Sequence, residues 1–268
     1  MAQTIQFVAG GADALMRVTP TSLDDQRAVF SIPTGPWLTD PHLGRVRSAL
    51  GIPLDDVTGY VVAAGVPPGR WPVSLGIKVD FLADAPVDGT SVTLVGELVA
   101  RTDVGATTRG IAYSETGDML ALVTHRSHLI HVVGRPQTAA FDGPVPDAEA
   151  PLRESLAFTT VERGVVMAPT PWTANVMGNV HGGVLVVGSE LAAHSMVGEG
   201  FSTVSIDVSF LRPCDATAPT VFRGDVVHQG RTVAVVHVAA IGHGGRTCAV
   251  ATVILQRPAA NNGDDEHR

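Results

Sequence analysis

The stretch NVMGNVHGGVLVVGSELAAH, residues 175–194, decides the reading of this chain. A polar turn ends in His181, Gly182 and Gly183 and runs straight into an apolar segment. Val184, Val187 and Leu191 recur at i, i+3 and i+7, the spacing of one helical face. On the same period Glu190 and His194, four apart, share a face. The expected element is a loop, a glycine-rich helix start and a buried helix that carries one carboxylate. Flanked by VLVVGS and LAA, that carboxylate needs a partner if it is buried. A second triplet, His243-Gly244-Gly245, lies between two alternating apolar runs and reads as a hairpin turn with no catalytic role.

A helix start with free N–H groups can hold negative charge. A carbonyl under attack becomes an oxyanion, and the unpaired N–H groups at a helix N-terminus can hold that charge. Glycine lets the carbonyl approach the backbone closely. A nearby carboxylate can activate water or attack directly, and an amide such as Asn175 can orient either partner.

Downstream of the helix, strands are expected at 203–211, 220–227, 232–241 and 247–256, and one upstream at 164–169. The first half has the same order: a strand at 28–33, a helical pattern over 43–64 interrupted by Pro53, then strands at 73–82, 91–102, 107–114 and 119–133. The order is an internal repeat. Pro36-Trp37 matches Pro171-Trp172 at an offset of 135. SLGIKVDFL (74–82) matches TVSIDVSFL (203–211) at 129, which places a six-residue insertion around VPPGRW in the first half. Gly105 and Gly230 match at a later turn. Shifted by 135, Asn175 falls on Asp40, Glu190 on Asp55, and the HGG triplet on Val46, Arg47 and Ser48. Asp55 and Asp56 are also suited to the first turn of a helix that resumes after Pro53.

Composition narrows the function classes. The 268 residues are 45% hydrophobic and 5% aromatic, with net charge −8 and charges of both signs dispersed. The absence of a basic footprint argues against nucleic acid. No apolar run reaches the ~18 residues of a membrane helix, and the N-terminus shows no signal-peptide pattern. Cys214 and Cys248 alone make no disulfide framework, so a reducing cytoplasm is expected. His125, His128 and His131 lie in a β-branched run. Alternation turns His128 away from the other two, which stand ~20 Å apart at ~3.3 Å per residue. No metal site is expected.

The pattern N-x5-HGG-x6-E, with VSFLRP at 208–213 and Gly230-Arg231, resembles the hot-dog thioesterases of the PaaI-like and hydroxybenzoyl-CoA groups over roughly residues 165–257. With the repeat, the resemblance implies an α+β double hot-dog: two copies of a long helix wrapped by a curled antiparallel sheet. The N-terminal repeat would span 1–135 without HGG, a linker 136–152, the C-terminal repeat 153–258, and a disordered tail 259–268. The implied activity is hydrolysis of an acyl-CoA thioester, with no cofactor beyond the coenzyme A of the substrate and self-association as a homo-oligomer. Family sites are composite across two units. One site would join Asn175, His181 and Gly182 to Asp55, and its counterpart would join Glu190 to Asp40 without a glycine loop. Glu190 or Asp55 would then be the working carboxylate. Gly183, His194, Asp40, Arg212 and Arg231 would line the substrate, the arginines meeting phosphate. Two rivals are a non-catalytic acyl-CoA-binding regulator and a MaoC-like enoyl-CoA hydratase.

Overall fold

The computed structural model describes residues 5–132, 140–144, 147 and 149–257. The expected tail 259–268 lies outside the described residues, as does much of the expected linker 136–152. In chain order the first half contains α1 (Gly11–Leu15), β1 (Thr19–Leu23), β2 (Arg27–Pro33), a short ribbon of β3 (Thr39–Asp40) and β4 (Gly44–Arg45), and α2 (Gly51–Ala64). It continues with β5 (Arg70–Phe81), β6 (Ser91–Arg101), β7 (Gly105–Tyr113) and β8 (Met119–His131). The second half contains α3 (Leu152–Ser155), β9 (Phe158–Val161), β10 (Gly164–Met167), α4 (Gly182–Met196), β11 (Ser202–Phe210), β12 (Thr220–Gln229), β13 (Val233–Ile241) and β14 (Thr247–Gln256).

The strands form one twelve-stranded sheet in the order β1-β2-β6-β7-β8-β5-β11-β14-β13-β12-β10-β9. That order is the same six-strand pattern written twice about a centre, where β5 pairs antiparallel with β11. Across this seam Val79 faces Ile206 and Ile77 faces Val208. All four are buried, while Lys78 and Asp207 between them point to solvent. The alternation read in SLGIKVDFL and TVSIDVSFL therefore sets which face of the sheet wraps the helices.

The two long helices pack on each other and on the inner face of the sheet. Every residue of α4 from Gly183 to Ala193 is buried, not only the stripe of Val184, Val187 and Leu191. A helix covered by sheet on one side and a second helix on the other can be apolar all round. Gly183 is where the helices meet. A Cβ there would lie 2.5 Å from Ile52 N and 2.6 Å from Gly51 O, so only glycine lets the two helix starts cross this closely.

The first half departs from expectation at its helix. Residues 43–50 are not α-helical: β4 pairs with β3, and a 3₁₀ turn at Arg47–Leu50 leads into α2. Pro53 does not interrupt the helix but sits in its first turn, where no backbone partner is lost by lacking an N–H. The edge strands β1 and β9 were not expected. Their side chains are mostly exposed, so they carry no alternating apolar signal. The N-terminal segment also crosses to the other half: Ala12 N–H donates to Ala174 O, and Gly10 and Gly11 press against the backbone of residues 171–176.

Candidate active site at the start of α4

The start of α4 is capped by a histidine. His181 has extended backbone, and its Nδ1 accepts the Gly183 N–H at 3.0 Å, the task usually given to Ser or Asp. The Gly182 N–H meets no backbone or side-chain acceptor among the described residues. It is an orphan donor at the positive end of a helix dipole.

Asp55, from α2 of the other half, stands beside Gly182. A Cβ on Gly182 would fall 2.4 Å from Asp55 Oδ2. The same carboxylate lies 3.6 Å from His181 Nδ1 and, through Oδ1, 3.7 Å from His125 Nε2; its side chain is 11% exposed. The structure thus brings Asp55, Gly182 and His181 together from opposite halves.

His125 was expected to share a strand face with His131, opposite His128, and to hold no metal. It faces inward, and it is buried against Asp55. Its Nδ1 is 3.0 Å from Thr58 Oγ1, and its Nε2 is 2.9 Å from Ser74 Oγ. The Thr58 hydroxyl donates to Leu54 O at 2.6 Å, so it receives the proton of His125 Nδ1. Nε2 is left to accept from Ser74. Burial lowers the His125 pKa, against the pull of Asp55, and keeps the ring neutral.

Behind His181 lie two more carboxylates, Asp56 and Asp13, both buried. His181 Nε2 is 3.1 Å from Asp56 Oδ1 and 3.3 Å from Asp13 Oδ1. Asp13 Oδ2 accepts the Gly10 N–H at 2.6 Å. Burial and the neighbouring Asp13 charge push Asp56 well above the carboxylate range. Burial opposes ionisation of Asp13, but hydrogen bonding and charge from His181 hold it low. One ligand atom from each of Asp13, Asp56 and His181 falls within 4.8 Å of the others, the spread of a metal site. The ring argues against that use. Nδ1 already receives the Gly183 N–H, so Nε2 carries the proton and has no lone pair for a cation.

Glu190 lies at the pseudo-symmetric place, facing the start of α2. It is 1% exposed, and its Oε2 accepts the Ser48 N–H at 3.1 Å and the Ser48 hydroxyl at 2.5 Å. Burial raises its pKa, with Ser48 and Thr203 pulling the other way. Arg47, in the position of Gly182, binds Asp84 at 2.6 Å and donates to Thr203 O at 2.9 Å. His194 bonds Thr203 Oγ1 at 2.9 Å and lines a cleft with Arg47 and Phe201; burial takes its pKa down to about 4.

Asn175 and Asp40 do the same work in the two halves. Asn175 Oδ1 accepts from Met177 N and Asn179 N, and Asp40 Oδ1 from His42 N and Leu43 N, each closing a turn. Asp40 also binds Arg153 at 2.5 Å. No hydrogen bond links Asn175 to Asp55 among the described residues. Arg212 and Arg231 are exposed and unpaired by any ion pair among the described residues. Ser74, Thr58, Asp13 and Asp56 escaped the sequence reading as site residues. Ser74 had a signal, since it is the repeat partner of Thr203.

Residues 169–256 match the family model described as the acyl-CoA thioesterase N-terminal domain, which falls here on the C-terminal half. The tesB protein of Mycobacterium avium subsp. paratuberculosis superposes with a TM-score of 0.63 at 15% identity, over 92% of this chain and 98% of that one. Both halves are therefore matched in one superposition. The fold is a double hot-dog. An acyl-CoA thioesterase II of Mycobacterium marinum gives 0.62 at 12% identity over 94% and 98%. An acyl-ACP thioesterase of Bacteroides thetaiotaomicron gives 0.59 at 11% over 86% and 98%. No curated protein matches the chain. In this double hot-dog no described helix is long and apolar enough to cross a membrane.

Proposed function

We propose that this double hot-dog protein hydrolyses acyl-CoA thioesters at the composite site between Asp55 and the start of α4. The observation that carries the reading is the Asp55 carboxylate set directly against Gly182, whose N–H is an unused helix-terminal donor. The thioester carbonyl binds with its oxygen on that N–H, where the helix dipole favours developing negative charge. Asp55 takes a proton from a water molecule as the water oxygen bonds to the carbonyl carbon. Ser74, held by donating to His125 Nε2, turns its lone pairs to the water's other proton. The tetrahedral oxyanion collapses, the carbon–sulfur bond breaks, and the proton on Asp55 passes to the leaving thiolate. Glu190 takes no part: Ser48 already occupies it, and no glycine loop stands before it.

Free-thiol release from short, long and aromatic acyl-CoAs, beside acyl-carrier-protein thioesters, tests the reading. Asp55→Asn is expected to cost at least ~10²-fold in turnover, and Glu190→Gln to leave it near parental. Parental turnover in Asp55→Asn overturns the site. Pure folded protein that hydrates enoyl-CoA without releasing thiol, or only binds acyl-CoA, overturns hydrolysis.

A further inference from the structure

The proposed chemistry leaves two buried carboxylates unused, and both touch the histidine that caps α4. Asp13 Oδ1 and Asp56 Oδ2 are buried and have no hydrogen-bond partner. One oxygen of each lies within 4.8 Å of the other. Two ionised carboxylates side by side in a dry interior repel, and two orphaned oxygens each lack a donor. One proton between them removes both problems.

His181 decides which proton state fits. Its Nδ1 accepts the Gly183 N–H, so the ring proton sits on Nε2 and points at Asp56 Oδ1, with Asp13 Oδ1 3.3 Å from the nitrogen. A cationic ring would place a second proton on Nδ1, against the Gly183 N–H at 3.0 Å and toward Asp55 Oδ2 at 3.6 Å. Burial disfavours the cation. The charges of Asp56 and Asp13 favour it and push the ring's pKa up. The backbone donor at Nδ1 opposes them, and a shared carboxylate proton cuts their charge from two to one. Around His181 the titratable groups are Asp13 on α1, Asp55 and Asp56 on α2, and His125 on β8 beyond Asp55. Tyr60 on α2 completes the set and ties down the N-terminal segment through both backbone groups of Val8.

We propose that Asp13 and Asp56 share a single proton and are positioning residues that hold His181 in its neutral Nε2–H form, so that Nδ1 anchors Gly183 and sets Gly182 against Asp55. This rests on the reading of Gly182 and Asp55 as the reacting pair. Because Asp13 rides on α1, the N-terminal segment of one half completes the site of the other.

The test is ring ¹⁵N NMR of the histidine-labelled protein, with a His181→Gln sample to assign the signal, alongside kinetics of two variants. The parent is expected to show His181 neutral with its proton on Nε2 at pH 7. Asp56→Asn imitates the protonated carboxyl, so it keeps the tautomer and a near-parental kcat. Asp13→Asn leaves one acceptor oxygen for two donors, the Gly10 N–H and the shared proton; kcat falls about tenfold or more as Gly182 shifts, with KM little changed. Two buried acids of merely structural use would instead respond alike. A His181 imidazolium or Nδ1–H form at pH 7, or an Asp56→Asn loss equal to that of Asp13→Asn, overturns the proposal. The NMR result needs no turnover, so a parent that releases no thiol yet shows the Nε2–H ring defeats the catalytic reading and supports the lock. If Asp13→Asn does not fold, the parental ring state still decides.

Discussion

Gly182→Ala and Gly183→Ala are adjacent changes of one methyl each, and the structure separates their effects. At 182 the new Cβ falls 2.4 Å from Asp55 Oδ2, with Asp55 Cγ and Phe210 Cζ at 3.2 Å. An ordinary contact needs about 3.5 Å, so the carboxylate must withdraw by about 1 Å. It is the end of a side chain and can do so. Alanine is also the better helix former by about 0.8–1 kcal/mol, so folding does not suffer. A displacement of that size at a reacting group costs about 10²-fold in rate. At 183 the Cβ meets Ile52 N at 2.5 Å and Gly51 O at 2.6 Å, which are backbone atoms of α2. The two helices must move apart, at the ~1–3 kcal/mol of an overpacked core or more. At about 2–4 °C per kcal/mol for a chain of this size class, the melting temperature falls by several degrees. Thiol release and thermal unfolding on the two purified variants separate the outcomes. Gly182→Ala with parental kcat, or Gly183→Ala with parental Tm, refutes the reasoning.

Ser74→Ala removes the hydroxyl that His125 holds, and is expected to lower kcat about tenfold or more with little change in Tm; unfolding and thiol release on one preparation check it. Glu190→Gln tests burial through pH. The folded-state pKa of Glu190 is raised, so the parent loses stability as pH climbs from the unfolded carboxylate value toward the folded one. The variant has no such loss, so its Tm relative to the parent should rise with pH above the unfolded carboxylate value, at up to about 1.4 kcal/mol per pH unit inside that window. A relative Tm that falls with pH contradicts the assignment. Arg153→Ala strands Asp40, whose side chain is fully buried, and should cost about 3–5 kcal/mol in denaturant unfolding. A loss below about 1 kcal/mol would show that the turn bonds of Asp40 suffice.

Most of the sheet was legible because its strands bury one face, and period-two alternation records that face residue by residue. Val79 and Ile206 are examples: inward, apolar and opposite each other at the seam. β1 and β9 were not legible, since an edge strand exposed on most positions has no buried face to record. α4 announced itself through HGG and its apolar run. α2 was blurred because Pro53, a helix breaker in the interior, is an ordinary first-turn residue where the helix begins. The crossing of residues 8–14 to the other half left no periodic trace, because it is held by backbone bonds and close glycine contacts.

The site was harder to read because it is not local. Glu190 lies nine residues after His181, and that proximity in sequence makes them look like partners. Nine residues along a helix at 1.5 Å each is about 13 Å of travel, which carries Glu190 away from the glycine start it follows. The antiparallel arrangement of the repeat returns a carboxylate to each helix start from the opposite helix, so Asp55 faces Gly182 and Glu190 faces Ser48. The two starts then differ in one decisive respect. At the first start Ser48, the counterpart of Gly183, spends its backbone donor and its hydroxyl on Glu190, and Arg47 stands where the second start has Gly182. At the second start His181 takes the Gly183 N–H, so no such donor is spent on Asp55, and Gly182 has no side chain to cover its own N–H. A duplicated fold that binds one carboxylate through the facing helix start and leaves the other unbonded beside a glycine has one terminus open to a substrate.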